Sequence, residues 1–396
     1  MSKRYQGGIL GAGFNPLRAP NAPTIGTATA GGNNCASVAF TAPACVGGSA
    51  ITSYTARSEP TGFGAAAAGS PITVTGLTNG ASYTFGAFAL NSYGPSPISA
   101  FSNSITAVLD GTFGIFALGQ APSASTTRNK YTYSGCVVSA GGAATAASRG
   151  GSAAGNGTVG IFALGLVGGA RVTTRDKYTY VGCVVSAGGA ATVASVNGAA
   201  TGNSTVGIFA LGCTGSFSAT RNKYTYSGDV VGAATASTAV SQGGSAAGNS
   251  TVGIFALGYT TNYSTTRDKY TYSGDTVSAG GAATQATHFG SAAGNSTVGI
   301  FALGFNGTCT ITTRNKYTYS GCVVSAGGAA TVAGFGFGAA TGNSVVGIFA
   351  LGCVSGRTAA RDRYTYAGCV VTTGGAATAA SDNGSAAGNG TAGVNT

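Results

Sequence analysis

The stretch Gly160–Tyr180 reads GIFALGLVGGARVTTRDKYTY and contains two motifs that recur along the chain. GIFALG carries no polar side chain, which is typical of a strand buried on both faces. RDKYTY alternates, so Tyr178 and Tyr180 share one face of a predicted strand. Each motif occurs six times, at intervals of 46 to 48 residues. GIFALG begins at Gly114, Gly160, Gly207, Gly253, Gly299 and Gly347, and R-[ND]-[KR]-Y-T-Y begins at Arg128, Arg175, Arg221, Arg267, Arg314 and Arg361.

The composition favours short β-strands joined by tight turns. Of the 396 residues, 7% are charged, 43% are hydrophobic, 70 are glycine and none is tryptophan. Disorder combines low hydrophobicity with high charge, and collagen needs glycine at every third position with abundant proline, so both classes are excluded. Long helices are not expected because Leu, Glu and Lys are scarce. The chain is therefore predicted to be all-β.

The repeat has the length of four short strands. Besides GIFALG and KYTY, each copy contains a segment like CVVSA and a segment like GSAAGN that leads to the next GIFALG. About 47 residues and four strands per copy are typical of one blade of a β-propeller. The first copy lacks a preceding GSAAGN segment, whereas the last ends with one at Gly384–Thr396. We therefore expect residues 109–396 to form a six-bladed β-propeller closed by the C-terminal strand.

Residues 19–108 have a different pattern. Segments such as SVAFTAP and SAITSYTARS are short and are bounded by turn residues. Such strands, with turns spaced about 8–12 residues apart, favour a β-sandwich of about 90 residues. Cys35 and Cys45 lie in this region and are candidates for a disulfide across two strands.

Known families share these motifs. PITVTGLTNGASYTFGAFALNSYGPSP, with SAITSYTARS before it, resembles a bacterial or phage fibronectin type III domain, which implies that Leu77 and Tyr83 are core residues. The repeats resemble kelch repeats in AATAASRGGSAAGNGTVGIFALG and KYTY, although the kelch tryptophan is missing and the double glycine is usually single. The opening MSKRYQGGILGAGFNPLRAPNAPTIGTATAG resembles the N-termini of phage virion structural proteins, where a short leader precedes fibronectin-like domains.

Catalytic machinery is not expected. Sialidase-like propellers carry acidic residues and Asp boxes ending in tryptophan, whereas this chain has no Trp and one Glu, Glu59. A copper site of the galactose-oxidase type needs two histidines, and His288 is the one histidine. Zinc is not expected because no C-x-x-C pair occurs. We therefore predict a non-enzymatic protein without a metal or cofactor.

The formal charge of +11 comes mainly from the repeats, because 12 of the 19 basic residues are R-x-[KR] pairs. One interpretation is a positive collar that contacts anionic glycans, lipopolysaccharide phosphate or an acidic subunit. The alternative is structural: each Arg bonds the adjacent blade's carbonyls or pairs with Asp176, Asp268 or Asp362. Nucleic-acid binding is not expected because no recognised module is visible. Membrane insertion is not expected because no apolar run approaches roughly 18 residues.

Contacts specific to a partner are expected where the repeats differ. The segments after GIFALG vary, and they offer aromatic side chains of the kind used for sugar or protein contact. A second variable segment contains His288 in THFG, which we interpret as a surface loop residue. The alternative is drift in unconstrained loops. The aromatic candidates for partner binding are Phe217, Tyr259, Tyr263 and Phe305.

The cysteines of the repeats are expected to be buried, unpaired and small apolar residues. Equivalent positions on neighbouring blades are predicted to lie too far apart for a disulfide. One repeated position holds Cys136, Cys183, Cys322 and Cys369 in four copies, and Asp229 and Asp275 in the other two.

These observations lead to a hypothesis for the function. We expect a non-enzymatic phage virion structural protein, a capsid or tail appendage or decoration that is assembled in the host cytoplasm and released by lysis. A leader, residues 1–18, docks on other virion proteins, the sandwich is a spacer, and the propeller serves host-surface adhesion or particle stabilisation within an oligomer. The alternative is a carbohydrate-binding adhesin or lectin of a bacterial surface. The leader residues expected to make the docking contact are Lys3, Arg4, Tyr5 and Phe14.

Overall fold

The chain divides into two compact units, Met1–Leu109 and Asp110–Thr396. Both are all-β and consist of antiparallel sheets. No helix of the described residues is long and apolar enough to cross a membrane. The computed structural model describes residues 17–30, 35–78, 81–107, 113–121, 123–133, 135–333, 338–353 and 356–389.

The first unit contains two sheets that share one core. One sheet has the strand order β1-β2-β5, and the other has the order β4-β3-β6-β7, with β8 also paired to β6. Val38 from the first sheet and Phe85 from the second are fully buried in the same cluster. Leu77 and Tyr83 are buried there too, as the resemblance to fibronectin type III domains implied. The strands are β1 (Thr24–Ala30), β2 (Ala36–Thr41), β3 (Ser53–Glu59), β4 (Gly64–Ala67), β5 (Ile72–Val74), β6 (Ser82–Asn91), β7 (Gly94–Pro95) and β8 (Ile105–Thr106).

Three serines line the β6 edge of the second sheet. The Ser96 amide donates to the Ala89 carbonyl at 2.8 Å, and the Ser96 hydroxyl accepts from the Ala89 amide at 2.9 Å. Ser99 and Ser102 bind β6 in the same two ways. The three serines are spaced three residues apart. This segment can therefore form hydrogen bonds with the backbone of β6 although its prolines have no N–H to donate.

The predicted Cys35–Cys45 disulfide is wrong for this structure. Cys35 directly precedes β2, and Cys45 lies in the loop after β2. The six residues of β2 extend about 20 Å, which is far beyond the roughly 7 Å that a disulfide allows between Cα atoms. The Cys45 sulfur instead accepts a hydrogen bond from the Arg18 guanidinium at 3.5 Å.

The described residues of the second unit form six four-stranded antiparallel sheets, which we number I to VI along the chain. Their strand orders are β35-β9-β10-β11, β13-β14-β17-β18, β19-β20-β21-β22, β23-β24-β25-β26, β27-β28-β29-β30 and β31-β32-β33-β34, and β12-β15-β16 form a small additional sheet. The strands are β9 (Phe113–Ala117), β10 (Arg128–Thr132), β11 (Val137–Ala140), β12 (Ser148–Arg149), β13 (Ser152–Gly155), β14 (Val159–Ala163), β15 (Leu166–Val167), β16 (Ala170–Arg171), β17 (Arg175–Thr179), β18 (Val184–Ala187), β19 (Ala199–Gly202), β20 (Val206–Ala210), β21 (Arg221–Thr225), β22 (Val230–Ala234), β23 (Ser245–Gly248), β24 (Val252–Ala256), β25 (Arg267–Thr271), β26 (Thr276–Ala279), β27 (Ser291–Gly294), β28 (Val298–Ala302), β29 (Arg314–Thr318), β30 (Val323–Ala326), β31 (Ala340–Gly342), β32 (Val346–Ala350), β33 (Arg361–Thr365), β34 (Val370–Thr373) and β35 (Ser385–Gly388), with 3-10 turns at Val181–Cys183, Ser320–Cys322 and Ala367–Cys369.

Each sheet corresponds to one repeat that is counted from the GSAAGN segment instead of from GIFALG. GSAAGN supplies the first strand, GIFALG the second, R-x-[KR]-Y-T the third and VVSA the fourth. Sheet I takes its first strand, β35, from the C-terminal part of the chain, and this strand pairs with β9. The first strand of every sheet also contacts the first strands of the two neighbouring sheets, including β13 with β35.

Side chains of neighbouring sheets interleave to form the cores of the second unit. In one such cluster Ile208 of sheet III packs with Phe255, Tyr270 and Tyr272 of sheet IV. The buried KYTY tyrosines and the GIFALG phenylalanine therefore come from one sheet, and the isoleucine comes from the preceding sheet. This explains why GIFALG is apolar on both faces: its Phe faces one neighbouring sheet and its Ile the other.

The first glycine of GIFALG is required by this close packing. A Cβ at Gly160 would lie 3.0 Å from the Ala387 Cβ of the neighbouring sheet and 2.9 Å from the Tyr180 hydroxyl. At Gly253 it would lie 2.6 Å from Thr201 Cγ2. Small residues on the first strands and glycine on the second thus allow the sheets to approach each other.

The four repeated cysteines are half-buried, so the expectation of full burial is wrong. Each lies in the turn before the fourth strand, at a φ of 52° to 55°. Asp229 and Asp275 have the same conformation in the other two sheets. Aspartate tolerates this left-handed region well, whereas cysteine rarely adopts it.

Candidate functional site

The six motif arginines are buried between neighbouring sheets. Each is 1% or 2% exposed. The Arg128 guanidinium donates to Asp176 at 2.7 Å, and its Cζ lies 4.6 Å from the centre of the Phe162 ring. Both partners belong to the next sheet. The other five arginines repeat this arrangement, with Cζ–ring distances of 4.4 to 4.7 Å.

The acceptors of these arginines alternate around the six sheets between aspartate and asparagine. The Asp268 carboxylate accepts from Arg221 at 2.8 Å and from the Thr238 hydroxyl at 2.6 Å. At an asparagine position, Asn222 accepts from Arg175 at 3.1 Å and donates its amide to a threonine hydroxyl at 2.7 Å. The full set of pairs is Arg128–Asp176, Arg175–Asn222, Arg221–Asp268, Arg267–Asn315, Arg314–Asp362 and Arg361–Asn129.

This burial decides between the two interpretations of the basic residues. A guanidinium that is 1% exposed and bonded to the next sheet cannot form a collar for an external partner. The motif arginines are therefore structural. The neighbouring lysines stay partly exposed, and Lys177 pairs with Asp229 of the next sheet at 2.9 Å.

The variable segments after GIFALG form a row of short hairpins. Because each follows the second strand of its sheet, the hairpins lie at equivalent ends of the six sheets, on what we call the loop face. Each hairpin contains a cross-strand backbone pair close to the sheet. The pairs are Gln120 with Ala124, Leu166 with Arg171, Cys213 with Phe217, Tyr259 with Tyr263, Phe305 with Thr310, and Cys353 with Arg357.

All four aromatic residues predicted to bind a partner come together on the loop face. Phe217 and Tyr259 have ring centres 5.6 Å apart, Tyr259 and Tyr263 5.3 Å, and Tyr263 and Phe305 5.9 Å. The three contacts are edge-on, and all four rings are partly exposed. They come from sheets III, IV and V and form one continuous aromatic row.

His288 packs into the aromatic row, which sequence reasoning did not predict. Its ring centre lies 4.9 Å from Tyr263, 5.7 Å from Phe305 and 6.0 Å from Tyr259. The cause is a backbone pairing in which His288 and Phe305 exchange two hydrogen bonds. Burial among the rings lowers the pKa of His288 below the ordinary histidine value of 6.5. The imidazole is thus a neutral packing group at pH 7.

Arg171 lies next to the aromatic row and is exposed. Its guanidinium lies 3.8 Å from the Cβ position of Gly215, which is in the hairpin of Phe217. Two other loop-face arginines have partners: Arg149 donates to the Gln120 side chain at 2.7 Å, and Arg357 pairs with Asp382 at 3.3 Å. In the part of the chain that the structure describes, Arg171 has no ion pair. The loop face therefore offers a free positive charge beside a strip of aromatic rings.

The centre of the second unit offers little space for chemistry. A cavity of about 50 Å³ is lined mainly by glycine backbone, with Asn197, Phe289 and Asn383. The first strands around it are packed, and Ala154, Thr201 and Ala247 have no exposure. No group of three His, Cys, Asp or Glu among the described residues could hold a metal ion. The proposed leader residues Lys3, Arg4, Tyr5 and Phe14 lie outside the described residues.

Comparisons with known proteins identify no family. No protein-family model matches the chain, and no curated protein matches it. Among solved structures, the crystal structure of domains A168–A170 from titin aligns at 25% identity with a TM-score of 0.21. The alignment covers 23% of this chain and 32% of that chain, so the match spans about a third of the titin fragment. A TM-score this low carries no argument about fold or function.

Proposed function

We propose that the second unit is a six-bladed β-propeller of a kelch-like type, and that the first unit is a fibronectin type III-like sandwich. Two features support the propeller. The β35 strand pairs with β9, which joins the two ends of the repeat array in one sheet. Arg361 of the last copy donates to Asn129 of the first at 3.2 Å, so the arginine bonds continue from sheet VI to sheet I.

The proposed function is that of a non-enzymatic phage virion protein, an appendage or decoration. The propeller is a rigid carrier in this proposal, since its motif arginines and its KYTY tyrosines are buried in the packing between sheets. The loop face is its recognition surface, and it binds glycans of the host surface. The leader, residues 1–18, docks the protein on other virion proteins.

One observation supports the proposal that the loop face is the recognition surface: the aromatic row lies on three adjacent hairpins with Arg171 beside it. Aromatic rings bind the apolar faces of sugar rings, and the Tyr259 and Tyr263 hydroxyls can bond sugar hydroxyls. The free guanidinium favours a carboxylate or another anionic substituent. An acidic oligosaccharide fits this combination better than a neutral one.

A glycan array with the purified full chain tests the recognition surface. We expect binding to acidic oligosaccharides, lost in Tyr259→Ala and weakened in Arg171→Gln. Tyr93→Ala is the matched control, because Tyr93 is 48% exposed but lies in the first unit. Equal binding by all variants, or no binding to any glycan, would refute the proposal. Binding of a host protein instead would assign the row to a protein receptor.

A second experiment tests the place of the protein in a particle. Deleting residues 2–17 should leave a folded protein that no longer incorporates into virions, as judged by circular dichroism and by particle composition. Normal incorporation of the truncated chain would refute docking by the leader.

The aromatic row favours a second candidate, a carbohydrate-binding adhesin or lectin of a bacterial surface. Imaging the protein with a specific antibody discriminates between the two. Label on particles supports the virion protein, and label on bacterial surfaces supports the adhesin.

A further inference from the structure

Three of the six buried arginines contact no carboxylate. Arg175, Arg267 and Arg361 donate to asparagine oxygens at 3.1, 3.0 and 3.2 Å. The other three donate to aspartate at 2.7 or 2.8 Å. Within the described residues, no Asp or Glu lies within 4.0 Å of the first three guanidiniums. Every second interface between sheets thus holds an uncompensated positive charge.

Burying such a charge is energetically unfavourable. Arg267 is 1% exposed, and burial lowers its pKa to about 10, so it remains protonated at neutral pH. A buried guanidinium that is bonded only to neutral acceptors is less stable than one that is paired with a carboxylate. The Phe301 ring, 4.5 Å from the Arg267 Cζ, offsets only part of this cost.

The interface at Arg267 has both a spare donor and space. The Nη2 group donates to Asn315, and Nη1 donates weakly to the Gly281 carbonyl at 3.4 Å. The buried Nε has no acceptor among the described residues. Arg267 lines a cavity of about 10 Å³ together with Ser264 and Thr287. This volume is enough for one small species, and no carboxylate lines it.

Arg361 has a similar setting. Its Nε also has no acceptor among the described residues, and it lines a cavity of about 20 Å³. Asp382 is on the wall of this cavity, but it pairs with Arg357 at 3.3 Å. Arg175 has two guanidinium nitrogens, Nε and Nη1, without an acceptor in the described part of the chain.

We propose that a small monovalent anion, chloride in most media, binds between the sheets beside Arg267 and at the equivalent positions beside Arg175 and Arg361. The anion supplies the negative charge that aspartate supplies at the other three interfaces. The aspartate-paired arginines also have guanidinium nitrogens without an acceptor among the described residues, and Arg128 and Arg314 line cavities of about 10 and 30 Å³. Their charge is already balanced by aspartate, so they bind no anion. The second unit thus holds three halide sites in alternate interfaces.

Thermal unfolding of the full chain tests the proposal. At equal ionic strength, the unfolding temperature should rise with sodium chloride and stay flat with sodium gluconate, whose anion is too large for the cavity. Asn315→Asp should lower the chloride-dependent rise by about a third, and Asp268→Asn should add about a third, if the sites are independent. Both variants place residues already used at equivalent positions of this chain, so folding is expected.

The triple variant Asn129→Asp, Asn222→Asp, Asn315→Asp should be stable without chloride and insensitive to it. Bromide-soaked crystals of the unaltered protein give a direct count, with three anomalous peaks expected. An equal response to chloride and gluconate in all variants would overturn the proposal. So would bromide peaks at the aspartate-paired arginines, or crystals without any peak beside the three asparagine-paired ones.

Discussion

Substitutions of Asp268 measure separately how much the charge and the hydrogen bonds of a buried ion pair contribute to stability. The Asp268 carboxylate has no exposure and accepts from Arg221 at 2.8 Å and from the Thr238 amide and hydroxyl at 3.0 and 2.6 Å. Asp268→Ala removes all three acceptors and leaves a buried guanidinium without its partner. We expect the free energy of unfolding to fall by about 3–5 kcal/mol.

Asp268→Asn should cost much less, because the chain already uses asparagine at this position in three sheets. Asn222 accepts from Arg175 and from the Thr192 amide at 3.1 Å each, and donates to the Thr192 hydroxyl at 2.7 Å. The same three bonds can form in the Asp268→Asn variant, and only the charge-assisted part is lost. That part is worth about 1 kcal/mol.

Urea unfolding at a fixed chloride concentration, followed by circular dichroism, measures both changes as shifts of the midpoint. Asn222→Asp is the matched control, and it should raise the midpoint because it gives Arg175 a carboxylate. If Asp268→Asn costs as much as Asp268→Ala, the reasoning is refuted, since charge alone would then hold the sheets together. A loss below about 1 kcal/mol for Asp268→Ala would refute it as well.

Three further predictions concern packing, pH and the repeated cysteines. Gly253→Ala places a Cβ 2.6 Å from Thr201 Cγ2 and should destabilise by about 1–3 kcal/mol in thermal unfolding, whereas Gly232→Ala, which meets nothing within 4 Å, should not. Because the pKa of His288 lies below 6.5 in the folded state, the unfolded state takes up the proton first as the pH falls. Stability should therefore drop as the pH falls below 6.5, and His288→Gln should remove that part of the pH dependence; an unchanged profile would contradict the burial of this ring. Cys369→Asp should stabilise by about 0.5–1.5 kcal/mol, because aspartate tolerates the φ of 55° and can accept from the Tyr364 hydroxyl, as Asp229 accepts from Tyr224 at 2.7 Å. A lower unfolding temperature of this variant would show that the thiol itself is required.

Much of the strand content could be predicted because it depends on local pattern. GIFALG and KYTY are strands in every copy, with the predicted faces, since side chains alternate along any strand. The four aromatic candidates, Phe217, Tyr259, Tyr263 and Phe305, were found because they break the repeat. Their assembly into one row follows from equivalent hairpins lying on neighbouring sheets.

Other features escaped prediction because they depend on partners that are distant in the chain. His288 joins the aromatic row through a backbone pairing with Phe305 of the next sheet, and no local pattern signals it. The Cys35–Cys45 pairing failed because the extended strand β2 lies between the two cysteines and separates them. The repeated cysteines are half-buried because a turn, rather than a strand, holds them.

The sequence by itself determined the six copies, their strands and the all-β class, since these follow from periodicity and composition. It also placed Arg and Asp or Asn side by side in each R-[ND]-[KR] motif, but left open whether the arginines face solvent. The tertiary structure alone decided that question. Five of the guanidiniums bond the Asp or Asn that lies one repeat further along the chain, and Arg361 bonds Asn129 of the first copy. Each becomes buried when the sheets pack. Because each Arg–Asp or Arg–Asn pair joins two repeats, the alternation of charged and neutral pairs arises at the interfaces between sheets. It cannot be read from a single repeat.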